Sequence, residues 1–418
     1  MTGKDLKAAV RDLFLAGVRA ADPGQAVRRA LSAAPLAPAP KGRLLLIAFG
    51  KASCAMMAEA LRHVPRGQRI EAIAVPNYEN AAPIEGCRVM PAGHPLPDEN
   101  GLEAGVAVMD MLRAAGAEDR VLCLISGGGS ALLPTPREGL SLGEKIEVSR
   151  LLLAGGFDIG QMNRVRQRLS VLKGGGLVDL AHPAPVRSLI ISDVVGDDLS
   201  IIASGPTAPP ATGADPADLL QSAGLWDALP AVARDLLSAP RRVARRDAEN
   251  ALICSNAQSL AAIADAAPDW APQVAKEPLV GDVGDAARSL LAQIEAAPKG
   301  ARQLLIWGGE TTVRIAGTGR GGRNQELTVR FARLAAHLPG EWVFLSGGTD
   351  GRDGPTDAAG GIVDSRTLGK ARAGGVDVDA ALADNDSYRI LGAAGDLLSI
   401  GATGTNVADI QIFLRLDG

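Results

Sequence analysis

The 418-residue chain is poor in aromatic residues: Phe, Trp and Tyr together make up 3% of it. That scarcity argues against a nucleic-acid binder built on stacking platforms. A strong charge of either sign is also missing. The formal net charge is −4, which gives no general attraction to polyphosphate backbones or anionic membrane surfaces. Cysteine is scarce and scattered, with Cys54, Cys87, Cys123 and Cys254 forming no C-x-x-C pair. This is neither a disulfide framework nor a zinc site, and a reducing cytoplasm is the expected setting. No run approaches ~18 consecutive apolar residues, so no membrane span is expected. The opening stretch, MTGKDLKAAVRDLFLAGVRAA, mixes charges among its apolar residues and reads as an amphipathic helix, not a secretion signal. The expected partner is a small molecule, with no nucleic acid and no membrane.

What is present is an ordinary globular composition, 47% hydrophobic and 22% charged, over a length that calls for at least two domains. Short apolar runs recur, each ending in small or polar residues and usually followed by a helical pattern: 43–53, 121–130, 186–198, 251–259, 303–312 and 341–354. Continuous apolar strands alternating with amphipathic helices predict α/β architecture with parallel sheets covered on both faces. Two stretches read as linkers, TAPPATGADPAD (207–218) and SAPRRVARRDAEN (238–250). The second lies between two βα series, so a boundary is expected near residue 240.

In open parallel sheets, ligands collect beyond the carboxyl ends of the strands, and here those ends carry the unusual residues. LISGGGSALLPTP runs a strand into Ser126, Gly127, Gly128, Gly129 and Ser130. Such a loop can aim successive N–H groups at an anion and let it approach the backbone; it can equally be a close-packed turn. AFGKAS places Lys51 directly after a strand and Gly50. It fails the P-loop pattern, which needs Gly where Leu45 stands and Ser or Thr where Ala52 stands. Lys51 can still supply a point charge to a phosphoryl group, or be a solvated surface lysine. MNRVRQRLSVLKGGG (162–176) reads as a short basic helix with Asn163 as its N-cap, placing Arg166 and Lys173 on one side.

ISDVVGDD and SGGTDGRDGPTD supply Asp193, Asp197 and Asp198, then Asp350, Asp353 and Asp357. Carboxylates in a cationic site either hold Mg²⁺ or accept the proton of an attacking hydroxyl, and Asp-Gly pairs also form turns. GTGRGGRNQE matches G-x-G-x-x-G through Gly317, Gly319 and Gly322 but lacks the ribose-binding carboxylate at the end of the next strand. Arg320 and Arg323 within it suit a developing phosphate charge.

Taken together, AFGKAS, AGHPLPDENGL, SGGGSALLPTP, VRQRLSVLKGGGLV, SDVVGDD, IASGPTAP, GGETTV, GRGGRNQE, GGTDGRDGPTDAAGG and TGTNVADI resemble the glycerate 2-kinase family. Its C-terminal part is known as the "multi-organism fragment with rich leucine" domain. The resemblance covers nearly the whole chain. It implies two α/β/α domains with mainly parallel sheets, the N-terminal one Rossmann-like (1–240, then 241–418), with the active site in the cleft between them. It also implies phosphorylation of D-glycerate at the C2 hydroxyl, with ATP and Mg²⁺ as cofactors. Lys51 and Arg323 carry over as paired catalytic cations.

With the residue chemistry added, Asp193 is the candidate base. Gly50, Ser126, Gly127, Gly128, Gly129, Ser130, Asn163, Lys173, Gly347 and Asp350 are the candidate nucleotide- and phosphate-binding residues. Arg166 and Arg323 are assigned to the substrate, and Asp193 and Asp350 to the metal. One departure stands out: Pro209-Pro210 occupies the place where the family pattern has Pro-Asp, which removes a carboxylate from that loop. The alternative activity is an NAD(P)H-dependent hydroxypyruvate reductase, and a homodimer is an allowed assembly.

Overall fold

A computed structural model describes residues 3–240, 247–298 and 302–416. The chain forms two compact units, Pro23–Cys254 and a second made of Met1–Asp22 with Ser255–Gly418. The boundary therefore differs from the one expected near 240. The strand Glu249–Cys254 hydrogen-bonds to the first sheet as its last member, and the N-terminal helix Gly3–Ala20 belongs with the second unit. Residues 241–246 of the basic linker lie outside the described residues.

The Pro23–Cys254 unit is built on six parallel strands: β1 (Leu44–Phe49), β2 (Ile70–Val75), β3 (Arg88–Val89), β4 (Arg120–Ile125), β5 (Val186–Ile191) and β6 (Glu249–Cys254). Their spatial order is β3-β2-β1-β4-β5-β6, the doubly wound order that reverses direction between β1 and β4. Leu45, Ile47 and Phe49 of β1 face a core shared with the helix Glu99–Arg113, and the intervening Leu46 and Ala48 face the opposite side. The helices Leu142–Ala154, Ile159–Arg168, Pro216–Ser222 and Ala231–Ser238 gather around a separate small core of Val148, Leu152, Val165 and Leu220.

The other unit has a sheet of β7 (Gln273–Val274), β9 (Arg302–Thr312), β10 (Glu341–Gly348), β11 (Gly360–Asp364), β12 (Leu397–Leu398) and β13 (Asp409–Leu416), with β8 (Leu279–Asp282) pairing beside β9. This sheet corrects the expectation of mainly parallel pairing. β9 and β10 do run the same way around the helix Arg323–Leu334, but β13 lies antiparallel between them, and β11 and β12 are also antiparallel. A strand buried on both faces is a continuous apolar run in either orientation. Leu6, Val10 and Phe14 of the N-terminal helix cover one face against Ile306, Val343, Leu345 and Ile412. The amphipathic pattern of that helix is what buries it.

Candidate functional site

In the parallel-sheet unit, the direction of winding reverses where β1 and β4 lie side by side, and the loops leaving those strands hold each other. Gly50 has φ +119°, a conformation that side-chain-bearing residues avoid, and a Cβ there would fall 2.2 Å from Ser126 Oγ. Ser126 Oγ accepts the N–H of Ala52 (3.1 Å), and Lys51 N–H donates to the Gly127 carbonyl (2.9 Å). Lys51 is thus seated against the glycine loop at a strand's carboxyl end, where its motif placed it. Ser126 is buried and works inside the loop crossing.

Each of the three glycines is bare for a different neighbour. A Cβ on Gly127 would lie 1.9 Å from the Asp193 carboxylate, and one on Gly129 would lie 2.8 Å from the Phe49 ring. At Gly128 (φ +85°) it would be 3.0 Å from the His94 ring and 3.4 Å from Lys51 Cγ. The loop therefore brings Asp193, His94 and Lys51 together. Burial raises the Asp193 carboxyl above its ordinary range, and Lys51 partly counters it. Burial lowers His94, and Lys51 pushes it further down, so its imidazole is neutral at pH 7. Sequence reasoning quoted the AGHPLPDENGL stretch without singling out His94. A histidine in a Pro-rich loop after a strand was the available signal.

Behind the loop, Ser130 Oγ lies 3.0 Å from Ser204 Oγ, which donates to Asn163 Oδ1 (2.8 Å). Asn163 is buried inside its helix and is not the cap expected for it; Asp158 forms the capping box with Gln161. Ala203 and Ser204 have φ of +50° and +64°. Strain of this kind costs about 1–3 kcal/mol per residue and collects at functional sites.

The basic helix also ends sooner than expected, at Arg168, so Lys173 comes from the turn beyond it. Arg168 is structural, donating to the Leu237 and Ala239 carbonyls. Lys173 Nζ donates to the Ser130 (2.7 Å) and Leu133 carbonyls (3.3 Å), pinning the loop from below. Burial, with Lys145 and Arg166 nearby, drives its ammonium well below the ordinary lysine range. Lys145, which sequence reasoning did not single out, donates to the Pro134 carbonyl. Burial and then Arg166 push it down to about 7. Among the described residues, neither these two lysines nor Arg166 has a carboxylate within 4.0 Å.

In the mixed-sheet unit, Arg323 opens the helix Arg323–Leu334 and is gripped by Asp409 through two bonds of 2.6 and 2.9 Å, with Glu310 at 3.2 Å. Burial would lower its pKa, but the Asp409 pairing outweighs that and holds it raised and charged. The helix start is capped from another loop: the Asp353 carboxylate accepts the N–H groups of Asn324 (3.2 Å) and Gln325 (2.8 Å). Burial pushes Asp353 up to about 6. Gly322 is bare because a Cβ would sit 2.3 Å from that carboxylate.

The other glycines of the G-x-G-x-x-G match pack against a neighbouring segment. Cβ atoms on Gly317 and Gly319 would fall 2.2 Å from Asp384 and 2.5 Å from Asp386, which accounts for both without a dinucleotide. Arg320 stacks over Tyr388 at 4.9 Å. Asp350 accepts the Arg352 N–H in a turn (3.0 Å). Gly347 lies within the sheet, paired to Gly360 and Ile410, and its missing side chain makes room for Leu398 and Phe14. Asp198 likewise accepts the Ser200 N–H in a turn (2.8 Å).

Among the described residues, no three His, Cys, Asp or Glu side chains gather as a metal cage, and no helix is long and apolar enough to cross a membrane. Mg²⁺ bound to nucleotide phosphates needs only one or two carboxylates. Asp193 beside Lys51 fits that requirement.

Residues 9–238 match the family described as "Domain of unknown function (DUF4147)", and residues 303–409 match the MOFRL family. A protein of Agrobacterium vitis, provisionally named a hydroxypyruvate reductase, is 40% identical over 89% of this chain and 99% of its own. Glycerate 2-kinase of Pyrococcus horikoshii is 38% identical over 89% of this chain and 87% of its own. The crystal structure of glycerate kinase from Thermotoga maritima superposes with a TM-score of 0.89 at 34% identity, covering 99% of this chain and 100% of that one. With both regions matched in order and this likeness running the length of the chain, the protein belongs to the glycerate 2-kinase family.

Proposed function

We propose that the protein transfers the γ-phosphoryl group of ATP to the C2 hydroxyl of D-glycerate, giving 2-phosphoglycerate and ADP. The observation that carries this reading is the meeting of Lys51 and Asp193 over Gly127 and Gly128, where the doubly wound sheet changes direction. Phosphoryl transfer asks the protein mainly to position groups and to stabilise charge on the transferring phosphoryl. Lys51 and Arg323 supply that positive charge. Asp193, raised by burial, accepts the proton of the C2 hydroxyl as its oxygen bonds to phosphorus and ADP departs. Asp193 or Asp350 would hold Mg²⁺, which would supply further charge neutralisation when bound. Gly50 and the 127–130 loop provide close backbone approach, with Lys173 fixing the loop.

The reductase reading loses its sequence support where Gly317 and Gly319 pack against 384–386. One pair of assays separates the two: ADP release with ATP and D-glycerate, and NADH oxidation with hydroxypyruvate. Kinase turnover without NADH oxidation is expected. NADH oxidation without ADP release would overturn the assignment.

A further inference from the structure

Next to the Lys51 loop, the parallel-sheet unit holds a cavity of about 460 Å³. Its lining combines two chemistries. Gly128, Ser130, Lys145, Arg166 and Lys173 contribute polar and cationic groups, together with Arg150, which pairs with Glu147. Pro95, Leu96, Pro97, Ile146 and Leu153 contribute apolar ones, of which Leu96 is 71% and Leu153 64% exposed. Together these side chains offer an apolar ligand group a surface to cover.

Lys145, Lys173 and Arg166 line this cavity with no carboxylate partner among the described residues, so when charged they repel one another and carry a desolvation penalty. Burial depresses both lysines, with Arg166 adding to each. An anion of several charges relieves both effects at once. D-Glycerate has a single carboxylate and no apolar surface. A nucleotide has a polyphosphate at one end and a flat, weakly polar base at the other, and the volume lies in the range of sites for ligands of that size.

The geometry points to this cavity as the nucleotide site, with the polyphosphate on Lys145, Lys173 and Arg166 and the base between Leu96 and Leu153. The assignment rests on the kinase reading for the identity of the nucleotide. It adds Lys145 to the binding residues, and it moves Arg166 from the hydroxy acid, where sequence reasoning put it, to the nucleotide. It also runs the phosphate chain toward Gly128 and so toward Lys51.

Two variants of the full chain test the apolar and the cationic lining residues, titrated calorimetrically with ATP and with inorganic tripolyphosphate. Leu96→Ser with Leu153→Ser alters only exposed side chains and is expected to keep the fold, which circular dichroism checks. It is expected to weaken ATP about tenfold through lost apolar contact while leaving tripolyphosphate binding unchanged. Lys145→Met is expected to weaken both ligands at least tenfold. In steady state, the KM for ATP should rise in both variants and that for D-glycerate should stay within about twofold. ATP binding unchanged in both variants would overturn the assignment, as would a rise confined to the KM for D-glycerate, which would make the cavity the acid's site. The kinase reading fails separately: wild-type protein that binds ATP in this pattern but never phosphorylates D-glycerate keeps the cavity assignment and loses the reaction. Wild-type protein that binds neither ATP nor tripolyphosphate overturns the cavity assignment directly.

Discussion

Replacing Lys145 by methionine should make the ligand-free protein more stable while impairing its use of ATP. The ammonium titrates at about 7 in the fold against 10.5 for a free lysine. At about 1.4 kcal/mol per pKa unit, that displacement is an upper bound of roughly 5 kcal/mol held against the fold. The variant also strips the Pro134 carbonyl of its donor, a loss of about 1–3 kcal/mol. Methionine fills nearly the same volume, so a net gain of about 1–3 kcal/mol is expected at pH 7.

The sign follows from the direction of the shift. A lysine whose folded pKa is depressed destabilises the fold below that pKa. The penalty fades as pH rises toward 10.5, where the side chain is neutral in both states. Wild-type stability should therefore climb between pH 7 and about 10, and the advantage of the variant should shrink over the same interval. Urea unfolding midpoints at pH 7 and pH 10, with and without ATP, read this directly. Refutation would be a variant no more stable than wild type at pH 7, or an advantage independent of pH. Either result would mean that Lys145 carries no stored electrostatic cost for a ligand to relieve.

Lys51→Ala should keep the fold and lower kcat by about 10²–10³, the effect of removing one preorganised charge at a transition state; circular dichroism beside turnover assays checks both parts. Arg323→Ala should lose a similar factor but also unfold more easily, because it abandons the fully buried Asp409 at a cost of about 3–5 kcal/mol. Adding Asp409→Asn should restore much of the stability and none of the rate. Gly127→Ala should displace the Asp193 carboxylate, 1.9 Å from the new Cβ, and cut kcat at least tenfold; a rate equal to wild type would separate Asp193 from the chemistry. Glu59, held down to about 2 first by Arg28 and then, against burial, by His63 and Arg62, should stabilise the fold at all pH values above about 4.5. Denaturation midpoints should show Glu59→Gln destabilising at neutral pH, the difference shrinking as pH falls from 4.5 toward 2.

Strands and helices were legible because burial on both faces writes itself as unbroken apolar runs: each of the six runs read from the sequence became a strand. Pairing direction was not legible. β13 follows β10 by a long stretch of chain and then inserts antiparallel between β9 and β10, an arrangement no local pattern encodes. The boundary near 240 was drawn on composition, but β6 is held by its ladder to β5. At the site, Lys51 and the glycine loop could be found because glycine and a strand-end lysine are conspicuous. Lys145 could not. In SLGEKIEVSR it sits among glutamates like any solvated helix lysine, and only tertiary packing, with its ammonium donating to the Pro134 carbonyl, buries it. Asn163 shows the reverse error: a good capping residue five positions too late, since Asp158 had already begun the helix.

The central claim is the reaction itself, and phosphorus NMR of the product tests it most directly. With ATP, Mg²⁺ and D-glycerate, the protein is predicted to give a phosphate resonance coupled to the single C2 proton of 2-phosphoglycerate, and Lys51→Ala is predicted to give almost none. Coupling to the two C3 protons, or ATP hydrolysis with no phosphorylated glycerate, would contradict the account.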